Sequence, residues 1–341
     1  MNSDTIFLLG KNSYIVQRSV HTVKYIVSIL VSLTLTCWFY DVEIVKAQST
    51  ISFQKDVENK LDPYLNKVGG SVSIDYINLK THEQYAEKSN KPYLAASTIK
   101  LPLALYIMEL ADANRIDLQQ ELTYKADHYV GGSGIIQNQS IGSRFTISDL
   151  VEKAIKYSDN IAFAMLKERI GSQNFINYMQ NLGATNSSPQ AYSFTSSHDL
   201  AIYAEHVDNL SRSSDNGKRL KEFLEETIYN EALPNGVSDA TVAHKVGMMP
   251  INLVSHDYGI INDQTPYVLA IMTYGFSYNE SNKVIAKVSE LIHTVHHAHN
   301  KESKKIILEK DAIFTAAFVI SRPIYSKLLS FNKVEITTLV D

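Results

Sequence analysis

Apolar positions recur along this chain with two alternating periods. From Ser52 to Val68 they fall at helical spacing (Phe53, Val57, Leu61, Leu65), and the run stops at Gly69-Gly70. Residues 71–77 then alternate as a half-buried strand, and a second short strand is expected near Gln84–Glu87. Ser97 opens a helix reaching about Asn114, with Pro102 in its early part, where it bends the helix slightly at most.

The middle third reads as helical. Thr146-Ile147-Ser148-Asp149 and Ser196-Ser197-His198-Asp199 both have the form of a capping box ahead of apolar helical runs, and Gly171–Leu182 is a further helix. Asn181–Ser197 is rich in turn residues. Strands return at Thr241–Val246, Ile251–Ile261 and Tyr267–Tyr274, and Ser281–His297 closes with helical spacing. The order predicts an α+β body in which an antiparallel sheet, assembled from both ends of the chain and flanked by terminal helices, carries an inserted all-helical lobe. A cleft is expected between sheet and lobe.

The N-terminal pattern differs. Tyr25–Tyr40 contains no charged residue, follows Lys11, Arg18 and Lys24, and runs into Asp41 and Glu43. A basic flank, an apolar stretch and an acidic exit predict an export signal cleaved after Ala47, or an uncleaved anchor. The only cysteine, Cys37, lies in that apolar stretch, so the exported part has no disulfide to rely on. Three regions follow: a signal or anchor over 1–47, a catalytic domain over 48–300, and a tail over 301–341 of unassigned role. The tail's apolar run, Ala312–Ile320, is too short to span a bilayer. A formal net charge of −4 supplies no electrostatic footprint for nucleic acid or for a membrane surface. Membrane contact is therefore expected through the N-terminal segment alone, and the protein is expected to be a monomer.

The chemistry lies in three short motifs. Ser97-Thr98-Ile99-Lys100 places a hydroxyl and an amine one helical turn apart, near the positive end of a helix dipole, where the amine can take the hydroxyl proton and a developing negative charge is favoured. Ser158-Asp159-Asn160 falls at a break between helices, and Lys245-Val246-Gly247 ends a strand. Each motif alone is generic. All three, in this order and on the expected kinds of element, point to an acylating serine.

In these motifs the chain resembles the serine β-lactamase and penicillin-binding protein superfamily, most nearly its class A β-lactamase-like group, over about Phe53–His297. The resemblance implies that Ser97 is the nucleophile, Lys100 its proton acceptor, Ser158 a proton relay to the leaving nitrogen, and Lys245 the positive charge beside Ser158 and a substrate carboxylate. It further implies that Asn160 holds a substrate amide, and that Gly247 and Met248 line the substrate site, with the backbone N–H groups of Ser97 and Met248 as oxyanion donors. Asp159 fixes the turn, and His256-Asp257-Tyr258-Gly259 is structural. The expected partner is a small β-lactam or a peptidoglycan peptide, with no cofactor. β-Lactam hydrolysis is the leading activity, with a D,D-carboxypeptidase or a penicillin-binding sensor as alternatives.

Three departures limit the transfer. Asn181–Ser197, where class A enzymes carry a deacylating glutamate, contains no Glu or Asp; Glu168, Asp199 and Glu205 are read as solvated or capping residues. Val246 replaces the threonine of the Lys-Thr-Gly motif, and no arginine occurs between Lys245 and Arg322. Two features outside the motifs receive plain readings. His293, His296, His297 and His299 form a dipole-favoured, solvated helix end, with no metal assigned despite the i, i+4 spacing of His293 and His297. Gly131-Gly132-Ser133-Gly134 is a flexible loop near the cleft.

Overall fold

In the five-stranded sheet, neighbouring residues of each central strand enter different cores, and this alternation organises the molecule. The computed structural model describes residues 52–187, 194–301 and 305. The leader, most of the tail and the middle of the Asn181–Ser197 segment lie outside the described residues. Helix α1 covers 52–65 and is followed by β1 (Ser71–Asn78) and β2 (Gln84–Glu87). Three long strands come from the other end of the chain: β7 (Thr241–Met249), β8 (Val254–Asn262) and β9 (Tyr267–Tyr274). The sheet order is β2-β1-β9-β8-β7, antiparallel throughout.

On β9, Tyr267, Leu269 and Ile271 pack with Phe53, Val57 and Leu61 of α1 and with Ile285, Val288 and Ile292 of the last helix, α8 (278–301). The intervening Val268, Ala270 and Met272 join the core of the helical lobe. A period of two thus feeds two hydrophobic layers from one strand.

The lobe between β2 and β7 begins with β3 (Tyr93–Leu94) and a 3₁₀ turn over Ala96–Ile99, which leads into α2 (Lys100–Asp112). The α-helix starts at Lys100, not at Ser97 as the pattern predicts. Pro102 therefore sits in its first turn, where its missing N–H costs nothing. A small hairpin, β4 (Glu121–Thr123) with β5 (Arg144–Thr146), precedes α3 (Ile147–Lys156), α4 (Asn160–Ile170) and α5 (Ser172–Asn181). After β6 (Phe194–Thr195), which pairs with β3, come α6 (Ser197–Ser213) and α7 (Asp215–Glu225). Among the described residues no helix is long and apolar enough to cross a membrane.

Two expectations are corrected. The second long strand starts at Val254 rather than Ile251, because Pro250–Asn252 form a 3₁₀ turn and Leu253 takes a left-handed conformation at φ 52°. The histidines of α8 are not a solvated end: His293, His296 and His299 are buried, and Tyr267 and Tyr76 from the facing side of the sheet and Glu83 from the β1–β2 turn bond to them. The predicted helical period is right, but the face it presents carries imidazoles into the second core.

Candidate active site

Ser97 stands in the 3₁₀ turn that β7 and β8 hold from beneath. The buried Tyr258 hydroxyl donates to the Thr98 carbonyl at 2.9 Å, and His256 Nε2 donates to the Leu94 carbonyl at 2.9 Å. Gly247 passes so close that a Cβ there would lie 2.7 Å from Thr98 Cγ2 and 2.8 Å from Thr98 N. A glycine in the strand motif is therefore a packing requirement of the turn that carries Ser97. Ala96, immediately before Ser97, is left-handed at φ 49°, a conformation that alanine adopts only at a cost.

Lys100 Nζ lies 2.9 Å from Ser97 Oγ, 2.5 Å from the Ser158 carbonyl oxygen, 2.7 Å from Asn160 Oδ1 and 3.2 Å from Ser158 Oγ. It is buried, and desolvation, reinforced by the positive charge of Lys245, holds its pKa well below the ordinary lysine value. In its neutral form, toward which burial shifts it, the amine would have two N–H donors and one lone pair. The Ser158 carbonyl and Asn160 Oδ1 can only accept, so in that form they would take the two donors and leave the lone pair for the Ser97 hydroxyl. That is the proton-accepting arrangement a serine nucleophile needs.

Ser158 occupies the short link between α3 and α4 with a left-handed backbone at φ 50°. Its carbonyl also accepts from Ser133 Oγ at 2.7 Å. Asp159 locks the link: Oδ1 caps α4 by accepting from Ile161 N and Ala162 N, and Oδ2 accepts from Ile135 N at 2.6 Å and Ile136 N at 2.8 Å. Gly134 lets the 131–136 segment approach, since a Cβ there would lie 2.4 Å from the Asp159 carboxylate. Asn160 Nδ2 donates to the Gly131 carbonyl at 2.9 Å. The Gly131–Gly134 run is thus tied down along one wall of the cleft, which corrects its reading as a flexible loop.

Lys245 reaches the same point from β7, donating to Ser158 Oγ at 3.0 Å and to the Val246 carbonyl at 2.9 Å. Complete burial lowers its pKa to about 7, against the opposing pull of Asp257. Asp257 pairs with His244 Nδ1 at 2.8 Å and accepts from Leu233 N at 3.0 Å, so a buried acid-imidazole pair stands behind the lysine. The two amines meet at one serine: Ser158 Oγ lies within hydrogen-bond reach of both.

A cavity of about 430 Å³ opens onto this cluster. Ser97, Lys100, Asn160 and Met248 line it as the motifs predict, with Val246 where a threonine hydroxyl would stand. Ser133, from the run expected near the cleft, lines it too, as do Phe163, Tyr229, Met249 and Pro250, which no motif singles out. The glycine-rich run marks Ser133; no sequence signal marks Phe163 or Tyr229. None of the described residues lining the cavity is acidic. Glu168 turns away to Lys125 and His128, and Asp199 is buried, holding the amides of Thr185 and Asn186 and the Ser187 hydroxyl.

An antiparallel sheet backed by terminal helices, with a serine-lysine pair at its junction with a helical lobe, defines an active-site-serine protein of the β-lactamase and penicillin-binding type. The Beta-lactamase enzyme family model matches residues 56–295, and the chain belongs to that family. It is 23% identical over 158 residues to Beta-lactamase SME-1 of Serratia marcescens, covering 46% of this chain and 51% of that protein. It is 27% identical over 129 residues to Beta-lactamase BRO-1 of Moraxella catarrhalis, covering 37% and 39% respectively. The chain thus spans about half the length, or less, of the curated relatives it matches. Among solved structures, PBP-A superposes with a TM-score of 0.65 at 25% identity, over 72% of this chain and 96% of that one.

Proposed function

We propose that this protein is an exported serine hydrolase that forms an acyl-enzyme on Ser97 with β-lactams or D-alanyl cell-wall peptides. The observation that carries the reading is the Lys100 amine, desolvated and turned to the Ser97 hydroxyl by two fixed acceptors. Lys100 takes the Ser97 proton as Oγ attacks the amide carbonyl carbon. The C–N bond breaks, and Ser158, fed by the lysines, returns a proton to the leaving nitrogen. The backbone N–H groups of Ser97 and Met248 face the developing oxyanion. Asn160 holds the substrate's amide, and Lys245 supplies positive charge beside Ser158 and the substrate's carboxylate. Residues 1–47 carry the export signal or the anchor.

Support for the ligand class comes from a leucine-to-glutamate variant of PBP-A, solved as its acyl-enzyme complex with penicillin G. A second reading, acylation with little or no release, is favoured by the absence of any carboxylate among the described residues that line the cleft. Incubation with penicillin followed by intact-mass measurement separates the two. Free product with unmodified protein supports hydrolysis; a stable single adduct supports the slow or sensor form. Ser97→Ala is expected to abolish both, and an adduct persisting in Ser97→Ala would sink the assignment.

A further inference from the structure

α8 brings a second group of reactive side chains together at the end of β7 and β8 remote from Ser97. Thr241 pairs with Asn262 at that end, whereas Met249 and Val254 pair near the cleft. His293 and His297 lie one turn apart on α8. Asp239 comes from the loop before β7 and Asp263 from the β8–β9 turn. His293 Nε2 is 2.6 Å from Asp239 Oδ1. His297 Nε2 is 3.1 Å from Asp263 Oδ2 and 3.9 Å from Asp239 Oδ2. One ligand atom from each of Asp239, His293 and His297 can be chosen within 4.8 Å of the others.

Two further observations distinguish this group from an ordinary ion-pair cluster. His297 Nε2 is shut off from solvent and makes no hydrogen bond among the described residues, despite its short distance to Asp263. A nitrogen beside a carboxylate yet misaligned for N–H donation is placed as a lone-pair ligand would be. Tyr267, a buried phenol, lies 2.8 Å from His293 Nδ1. Asp239 can only accept, so His293 Nε2–H donates to it and Nδ1 accepts from the Tyr267 hydroxyl; an ion taking the place of the Nε2 proton would switch the tautomer, with Nδ1–H then donating to the phenol oxygen as the outer-shell support that metal-binding histidines use. His296 lies outside the group of ligand atoms within 4.8 Å of one another, and its Nδ1 meets the Tyr76 hydroxyl while Nε2 accepts from Asn300 Nδ2.

Two neutral imidazoles and two carboxylates make a four-donor set of net charge about −2, matched to a divalent ion that accepts both nitrogen and oxygen. Tetrahedral coordination at roughly 2.0–2.2 Å places ligand atoms about 3.3 Å apart. The separations of 2.6 and 3.9 Å from Asp239 to His293 and His297 bracket that spacing, and Asp263, 3.1 Å from His297 but outside the group of three, has to turn inward to supply the fourth donor. Asp239 is exposed and can adjust, and a cavity lined by Asp239, Asp263, His297 and Asn300 gives the ion a path of entry. We propose that Asp239, Asp263, His293 and His297 form a structural Zn²⁺ site that clips α8 to the loop before β7 and to the β8–β9 turn. Four protein ligands leave no open position, so the ion stabilises the fold and takes no part in chemistry at Ser97.

The full chain, freed of metal with a chelator, is titrated with Zn²⁺ by calorimetry, and Tm is measured with and without one equivalent. One Zn²⁺ per chain and a raised Tm are expected, with His297→Ala and Asp263→Asn each weakening binding by about 100-fold or more. His297 is partly exposed, so its alanine variant should keep the circular-dichroism spectrum of the parent, which separates loss of the site from loss of the fold. Co²⁺ in place of Zn²⁺ should give the visible spectrum of a four-coordinate site in the parent and not in His297→Ala. No binding by the parent, or equal binding by parent and His297→Ala, overturns the proposal.

Discussion

At the scale of the residue, the site depends on buried polar groups whose hydrogen bonds leave them one useful role. Asp159 accepts four backbone N–H groups from two segments, so Asp159→Ala orphans all four and uncaps α4. A loss of about 3–5 kcal/mol is expected from charge-assisted bonds and a cap of this kind, read as a lower urea midpoint. Any acylation that survives should be slow, since Ser158 and Asn160 flank the lost carboxylate. His256 makes a pH prediction with a definite sign. Its Nε2–H donates to Leu94 and its Nδ1 accepts from Thr273 N–H at 3.3 Å, so the ring is neutral as folded, and burial lowers its pKa to about 4. The folded state binds that proton less readily than the unfolded chain does. The stabilisation is therefore complete above about pH 6.5 and is lost as pH falls toward 4, by on the order of 3 kcal/mol at about 1.4 kcal/mol per pKa unit. Urea midpoints at pH 7 and pH 4.5 should differ more in the parent than in His256→Gln; equal slopes would remove His256 as the cause.

At the scale of the element, what was legible in the sequence is what local periodicity and capping encode. Thr146 accepts from Asp149 N while the Asp149 carboxylate accepts from Thr146 N, the capping box the sequence predicts. Ser196 likewise accepts from Asp199 N, but the Asp199 carboxylate is committed to residues 185–187 instead of reciprocating. The two-residue pair β3–β6 and the β4–β5 hairpin are too short to show a period. α7 is mostly polar, with Leu220, Phe223 and Leu224 as its buried apolar residues, and Gly217 fits because its Cα passes the backbone of Leu210. The motif order singles out Ser97, Lys100, Ser158 and Lys245, whose side chains meet in the structure, yet nothing local announces that Ala96 and Ser158 are left-handed or that Tyr229 lines the cleft. Those features arise where separate elements meet. Gly247 makes the same point experimentally, because β7 abuts the turn that carries Ser97 there. Gly247→Ala drives a methyl group against Thr98, which should cost about 1–3 kcal/mol and slow acylation about a hundredfold by displacing Ser97. An unchanged acylation rate would show that the turn yields at no cost.

At the scale of the molecule, one sheet serves two cores, and the site lies where the sheet meets one of them. The strand that carries Lys245 contributes Ala243 to the lobe core and Val242 to the layer under α1 and α8, so neither layer can open without disturbing the strand between them. This coupling predicts a single unfolding transition for the body that the sheet and lobe form. Leu105 lies in the lobe core and Leu269 in the opposite layer; both are fully buried and they belong to different clusters. Leu105→Ala and Leu269→Ala should each cost about 2–5 kcal/mol through lost contact and residual cavity. Because the two positions share no cluster, the double variant should lose the sum of the two within about 0.5 kcal/mol. The only tryptophan, Trp38, precedes the body, so the transition is better followed by far-ultraviolet circular dichroism and tyrosine fluorescence. Coincident curves for all three variants fit one cooperative body. Separate transitions in Leu269→Ala would instead mean that the helical lobe, with Ser97 and Lys100, stands after the α1 and α8 layer has melted, and that the sheet divides the molecule more than it joins it.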